Sequence, residues 1–202
     1  MQGFYVPKKE DVLPKIEELL HEGDTVAVGG SATLDELGMI NYLCSNSGKY
    51  NYLNRYEPNL TPEQLRNVFL QSFAADVYLC SSNAVTMDGK LYNVDGNSNR
   101  VAAICYGPKS VIMVVCVNKI VPTIEDAVTR VKTCAAPCNC ERLHVENYCE
   151  KTGSCIDLTS PHPSIGGGCA SKTRICCNYV VSGMQRVPGR IKILIVNESL
   201  GY

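Results

Sequence analysis

The sequence predicts one α/β domain built on a mostly parallel sheet with helices on both faces. Short apolar segments of strand length alternate with capped segments of helical period, which is the pattern of βα units. One of them, Val111 to Val117, is a near-continuous apolar run, as a central strand covered on both faces requires. Size and composition agree: 202 residues, 45% hydrophobic and 19% charged, suit one sizeable core. Residues 1–202 are therefore read as a single domain, with a Cys-, Gly- and Pro-rich excursion over residues 137–185 before the last strand.

Val12, Ile16, Leu19 and Leu20 recur at helical spacing, so a helix runs from about Asp11 to His21 with Pro14 in its first turn. Thr25 to Val28 is a short buried strand, followed by the turn Gly29-Gly30-Ser31-Ala32-Thr33. Thr33 and Glu36 have the spacing of a capping box, and Leu34, Leu37, Ile40 and Leu43 give the next helix its apolar face. Ser45 to Asn59 is polar and tyrosine-rich without a period, and reads as a long exposed loop. Thr61-Pro62-Glu63-Gln64 starts another helix, with Thr as cap and Pro in the first position. Strands are expected at Val77 to Cys80, Val101 to Tyr106, Val111 to Val117 and Ile191 to Val196. Met87-Asp88-Gly89-Lys90 is a hairpin turn of the Asp-Gly kind, and Thr123 caps a helix reaching about Cys134.

The formal net charge is −1 with no block of Lys or Arg, which argues against nucleic acid or an anionic membrane as the main partner. The start, Met1 to Pro7, lacks the basic and apolar regions of a signal peptide, and no apolar run approaches the roughly 20 residues of a membrane span. A cytoplasmic protein is expected. Twelve cysteines stand out. Cys44, Cys80, Cys105 and Cys116 sit in apolar segments and read as small buried hydrophobes. The other eight fall between Cys134 and Cys177, which in a cytosolic chain points to metal or redox chemistry before disulfides.

Three constellations carry chemistry. At the strand–turn–helix of Thr25 to Gly38, Gly29 and Gly30 let the backbone approach a ligand while Ser31 and Thr33 offer hydroxyls, so a phosphate or carboxylate suits it. The bland alternative is a tight turn. No P-loop or dinucleotide fingerprint is present. In the stretch from Asn83 to Arg100, Asn83, Asp88, Asp95, Asn99 and Arg100 either bring polar groups to one ligand or merely form turns. Sheets of this kind hold ligands beyond the carboxyl ends of their strands, so both constellations, with Lys119, are expected to face one cleft. Asp88 and Lys119 are the candidates for proton transfer. The third is Cys149-x5-Cys155-x13-Cys169-x6-Cys176: four thiolates close a zinc or iron–sulfur site, although the spacing is not that of a zinc finger.

GGSATLDELG (Gly29 to Gly38), SSNAVTMDGKLYNVDGNSNRVAA (Ser81 to Ala103), GPKSVIMVV (Gly107 to Val115) and NKIV (Asn118 to Val121) together resemble the LUD domain family. RVKTCAAPCNCERL (Arg130 to Leu143), RIC (Arg174 to Cys176) and ESLGY (Glu198 to Tyr202) extend the likeness over nearly the whole chain. That family includes the LutC/YkgG-like proteins of bacterial lactate utilisation. The resemblance implies a fold like that of NagB, RpiA and the CoA transferases, and work alongside iron–sulfur oxidoreductase subunits in oxidising lactate. Fold-level likeness does not assign a reaction. Three departures matter. Ser98 and Val117 stand where the family usually has Gly, and the Cys-rich tail resembles a C-x5-C-x2-C-x6-C run interrupted by an insertion around Leu158 to Gly168.

The expected function is thus a LutC-like protein of organic-acid utilisation that binds a small anionic metabolite and carries iron–sulfur or zinc. The alternatives are an independent enzyme on a sugar phosphate or acyl-CoA-type metabolite, or a metal-bearing interaction module without catalysis.

Overall fold

The computed structural model describes residues 1–202, and the chain divides into two compact units. Unit one comprises Met1–Ser81, Ala102–Asn118 and Met184–Gly201; unit two comprises Ser82–Val101, Lys119–Gly183 and Tyr202.

In chain order the strands are β1 (Gln2–Val6), β2 (Thr25–Val28), β3 (Asn51–Leu53), β4 (Val77–Cys80) and β5 (Ala84–Thr86). They continue with β6 (Leu91–Asp95), β7 (Ser110–Cys116), β8 (Ile120–Val121), β9 (Asn178–Ser182) and β10 (Ile191–Val196). The helices are α1 (Val12–Leu19), α2 (Ala32–Glu36), α3 (Met39–Ser45) and α4 (Pro62–Ser72). After them come α5 (Asn99–Cys105), α6 (Ile124–Arg130), α7 (Ala136–Arg142) and α8 (Tyr148–Thr152).

The first unit is a six-stranded sheet in the order β1-β10-β7-β4-β2-β3, and every neighbouring pair is parallel. Alternation along each strand sends Val26, Val28, Leu79, Ile112, Val114, Leu194 and Val196 into one core with Ile16, Leu34, Met39 and Leu43 from α1 to α3. Val111, Met113 and Val115 on the opposite face of β7 are also fully buried. Burial on both faces is why this strand reads as an unbroken apolar run.

The second unit is built on a mixed sheet in the order β8-β5-β6-β9. β5 and β6 form the expected hairpin, with Gly89 at φ +87° in its turn. Ala84, Tyr92 and Val94 pack on Ala127, Val131, Ala135 and Ala136 of the helical segment that follows β8. β9, from within residues 137–185, pairs antiparallel with β6 in register from Leu91↔Ser182 to Asp95↔Asn178.

Several elements differ from the sequence reading. Val101 to Tyr106 is not a strand; it lies in α5 and the turn after it. Val101 and Ile104 share one buried helical face, and the Asp95 carboxylate accepts the N–H groups of Arg100 (2.9 Å) and Val101 (3.1 Å), which supplies the helix start. Ser31, not Thr33, caps α2: its Oγ accepts from the Leu34 N–H, and Gly38 at φ +68° separates α2 from α3. The stretch Ser45 to Asn59 is not all exposed loop, because it contains β3 and places Tyr50 in the core at 2% exposure. The helix capped by Thr123 does not stop near Cys134. A π-turn over Val131–Ala135 carries it into α7, and this wide turn accommodates Pro137, which has no N–H to donate. Cys80 and Cys116 are buried as expected, whereas Cys44 and Cys105 are exposed.

Ser98 adopts φ +67°. A left-handed conformation costs an L-residue with a side chain roughly 1–2 kcal/mol, part of which glycine returns as unfolded-state entropy. Ser98→Gly is therefore expected to raise thermal stability by up to about 1 kcal/mol, read as a higher Tm; a lower Tm would show that its hydrogen bond with Asn178 outweighs the strain.

Candidate functional site

The Gly-rich turn grows directly out of the first unit's sheet. After β2 ends at Val28, the Gly29 N–H still donates to the Leu79 carbonyl (2.8 Å), and Gly30 is the exposed point of the turn. Thr33 is fully buried, and its hydroxyl donates to the Leu200 carbonyl (3.3 Å). The Gly201 N–H donates to both Glu36 carboxylate oxygens at 3.1 Å, and Asn118 Nδ2 to the Gly201 carbonyl at 3.0 Å. The turn is thus braced by the residues that follow β10.

Sequence reasoning did not single out Arg55, which lies at this turn. A Cβ added to Gly30 would sit 3.7 Å from Arg55 Nη1. The guanidinium lies over the rings of Tyr56 (5.3 Å) and Phe69 (4.8 Å) and makes no hydrogen bond or ion pair. Nearby, the Tyr52 hydroxyl is buried without a hydrogen-bond partner. Burial pushes its pKa up, with Tyr56, Cys44 and Asp35 adding to the shift and Arg55 opposing it. The only hint in the sequence was a lone arginine inside an unpatterned tyrosine-rich stretch.

In the second unit the structure brings Asn83, Asn93, Asp95 and Arg100 together. Arg100 Nη1 donates to Asn93 Oδ1 (2.6 Å), and Nη2 donates to Asn83 Oδ1 (2.8 Å) and the Val94 carbonyl (2.7 Å). Arg130 Nη1 donates to the Asn83 carbonyl (2.7 Å). Asn93 is fully buried, and its amide nitrogen has no partner. The Asp95 carboxylate is occupied with backbone N–H groups of Asn97, Arg100 and Val101. Asn99 is the first residue of α5.

Asp88 stands apart from that group, at the tip of the hairpin. Its carboxylate is paired with the Lys90 ammonium and the Thr86 hydroxyl, which hold its pKa below the usual carboxylate range. A carboxylate so stabilised is a weak base. Lys119 is 3% exposed, at the end of a 3₁₀ turn after β7.

The thiols gather elsewhere in the second unit. Cys140, Cys149 and Cys155 form one buried cluster against Val145 and Ile175. Burial pushes the Cys149 thiol up to about 12, helped by the charges of Cys155, Cys140, Cys176 and Cys169. Cys176 is likewise raised to about 12, by burial first and then by Cys140 and Cys155, with Arg174 opposing. Such thiols are protonated at neutral pH and unreactive as nucleophiles. The segment has its own polar frame. Buried Lys132 pairs with Asp157 and donates to the Ser164 carbonyl, and its own carbonyl accepts from the Cys155 N–H (2.9 Å). Arg174 donates to the carbonyls of Gly166, Cys169 and Cys176 and to the Tyr179 hydroxyl. The donor chemistry is that of a thiolate metal site, but no three Cys, His, Asp or Glu side chains surround one point as a single-ion site needs.

Fold and site define an α/β protein with a parallel sheet, a Gly-rich turn at a strand end and a clustered set of thiols. The chain belongs to the LUD domain family, whose model matches residues 1–196. Among solved structures it is similar to a DUF162 family protein from Deinococcus radiodurans, at 15% identity and a TM-score of 0.48, over 97% of this chain and 88% of that one. It is also similar to eIF2B beta from Chaetomium thermophilum, at 18% identity and a TM-score of 0.38, over 58% of this chain and 44% of that one. Comparison with curated proteins gives no match. No helix is long and apolar enough to cross a membrane.

Arg100→Ala leaves the amide oxygens of Asn83 and Asn93 and the Val94 carbonyl without their charged donor. At about 1.5–3 kcal/mol for hydrogen bonds to a charged group, stability is expected to fall by about 2–3 kcal/mol, a Tm drop on the order of 5–10 °C. An unchanged Tm would show that the guanidinium is not a structural tie.

Proposed function

We propose that this chain is a LutC-like protein of organic-acid utilisation, lactate being the expected acid, and that it works with iron–sulfur oxidoreductase partners. The observation that carries this reading is the LUD domain match over residues 1–196, together with the fully parallel sheet and its Gly-rich turn. The fold we infer is of the NagB, RpiA and CoA-transferase kind, in which such a turn receives an anionic group. Its ligand is a small carboxylate or phosphate held at the turn of Gly29, Gly30, Ser31 and Thr33, where the exposed peptide at Gly30 would meet it while Gly29, Ser31 and Thr33 brace the turn through their own hydrogen bonds. Asn83, Asp95, Asn99 and Arg100 shape the second unit's polar centre. Of the two candidates for proton transfer, Lys119 is buried, whereas the Asp88 carboxylate is exposed and paired with Lys90.

Cys149, Cys155, Cys169 and Cys176 would hold an iron–sulfur cluster or zinc. Three features support this: the all-sulfur donor set, the burial of Cys149 and Cys155, and the Arg174 clamp on the backbone at Cys169 and Cys176. Such a group would supply electron transfer if iron–sulfur, or structural closure of the loop if zinc.

Deleting the gene in its host is expected to abolish growth on lactate and leave growth on glucose intact. The wild-type gene restores growth, whereas a variant with those four cysteines changed to serine, and binding no iron or zinc after anaerobic purification, does not. Equal growth of the deletion strain on both carbon sources would reject the reading.

A further inference from the structure

The first unit holds a guanidinium that the fold leaves without an acidic partner. The other half-buried arginines of this chain are tied to main-chain carbonyls: Arg100 to Val94, Arg130 to Asn83, Arg174 to Gly166, Cys169 and Cys176, and Arg190 to Ala103, Ile104 and Pro108. Arg55 is not. It is half-buried, makes no hydrogen bond or ion pair, and is oriented only by the faces of Tyr56 and Phe69. Stacking on aromatic rings fixes the plane of a guanidinium and leaves its N–H edge able to donate.

The place where it is held matters. Nη1 lies 3.7 Å from the position a Cβ would take on Gly30, so the guanidinium edge and the exposed peptide of the turn are neighbours. Any larger residue at 30 would project toward that edge. The Tyr52 hydroxyl, buried and without a partner, shares the neighbourhood of Arg55, and so does the carboxylate of Asp35 on α2.

We propose that Arg55 is the cation that binds the anionic group of the ligand at the Gly29–Thr33 turn, with the fork of its guanidinium facing a carboxylate or phosphate. This rests on the reading that the turn binds an anion. It goes further by moving the recognition charge to a residue between β3 and α4. A planar, five-donor fork matches two oxygens of one oxyanion, which a lysine does not. Aromatic orientation keeps the fork in place before the ligand arrives, which lowers the ordering cost of binding.

Calorimetric titration at fixed ionic strength with inorganic phosphate and with L-lactate tests this on the intact protein, comparing wild type with Arg55→Gln, Arg55→Lys and Gly30→Leu. Wild type is expected to bind at least one of the two anions. Arg55→Gln should lose tenfold or more in affinity with an unchanged Tm, Arg55→Lys should recover only part of it, and Gly30→Leu should weaken binding while the charge remains. If Arg55→Gln binds as tightly as wild type, the anion sits elsewhere and the assignment of Arg55 fails while the anion-binding reading stands. If wild type binds neither anion, that reading falls and Arg55 with it.

Discussion

The stretch from Asp95 to Arg100 is the point on which the second unit depends. In six residues the chain must leave a buried strand, reverse and begin a helix, and each step exposes polar backbone that needs a partner. Asp95 meets the first need, gathering the N–H groups of Asn97, Arg100 and Val101 on one carboxylate. Arg100 meets the second by donating into the hairpin's own amides and the Val94 carbonyl. Ser98, in a left-handed conformation, makes the sharp corner between them.

The same economy recurs along the chain. Arg190 caps the carbonyls around α5 and the turn before β7, and Arg174 ties together the loop that carries Cys169 and Cys176. Gly107 is required in that turn because a Cβ there would lie 2.7 Å from the Phe73 carbonyl oxygen at a φ of +117°. Among the half-buried arginines Arg55 differs in kind, since its orientation comes from rings and its donors face no protein acceptor. A charge placed at a sheet's carboxyl-end turn, where α/β sheets receive ligands, is then more naturally a recognition group than a structural one.

Much of the fold was legible where its determinants are local. The capping box at Thr61 and Gln64, the Asp-Gly hairpin and the two-faced apolar run of β7 each depend on neighbours in sequence. What failed depended on distant partners or on ambiguous period. Val101 to Cys105 is too short and too uniformly apolar for its period to separate helix from strand; the deciding contact is the Asp95 carboxylate upstream. β1 and β3 are short edge strands whose residues, Val6 apart, are exposed or half-buried, so neither shows the buried apolar run of a central strand. β9 is specified by pairing with β6, more than eighty residues earlier. At the candidate site the polar types around Asn83 to Arg100 stood out, but composition does not say whether a guanidinium faces a ligand or a carbonyl. Cys140 lies upstream of the four thiols that the spacing picks out, yet the π-turn and α7 carry it into the buried cluster with Cys149 and Cys155.

Two arginines divide the labour, Arg100 as a structural tie and Arg55 as the recognition charge. The most direct measurement is a crystal structure of the protein soaked with selenate, whose anomalous signal locates the anion without ambiguity. Selenate is expected against Arg55 and the Gly29–Thr33 turn, with the Arg100 guanidinium still donating to Asn83 and Asn93. Selenate bound to an Arg100 released from those amides, with none at Arg55, would contradict it.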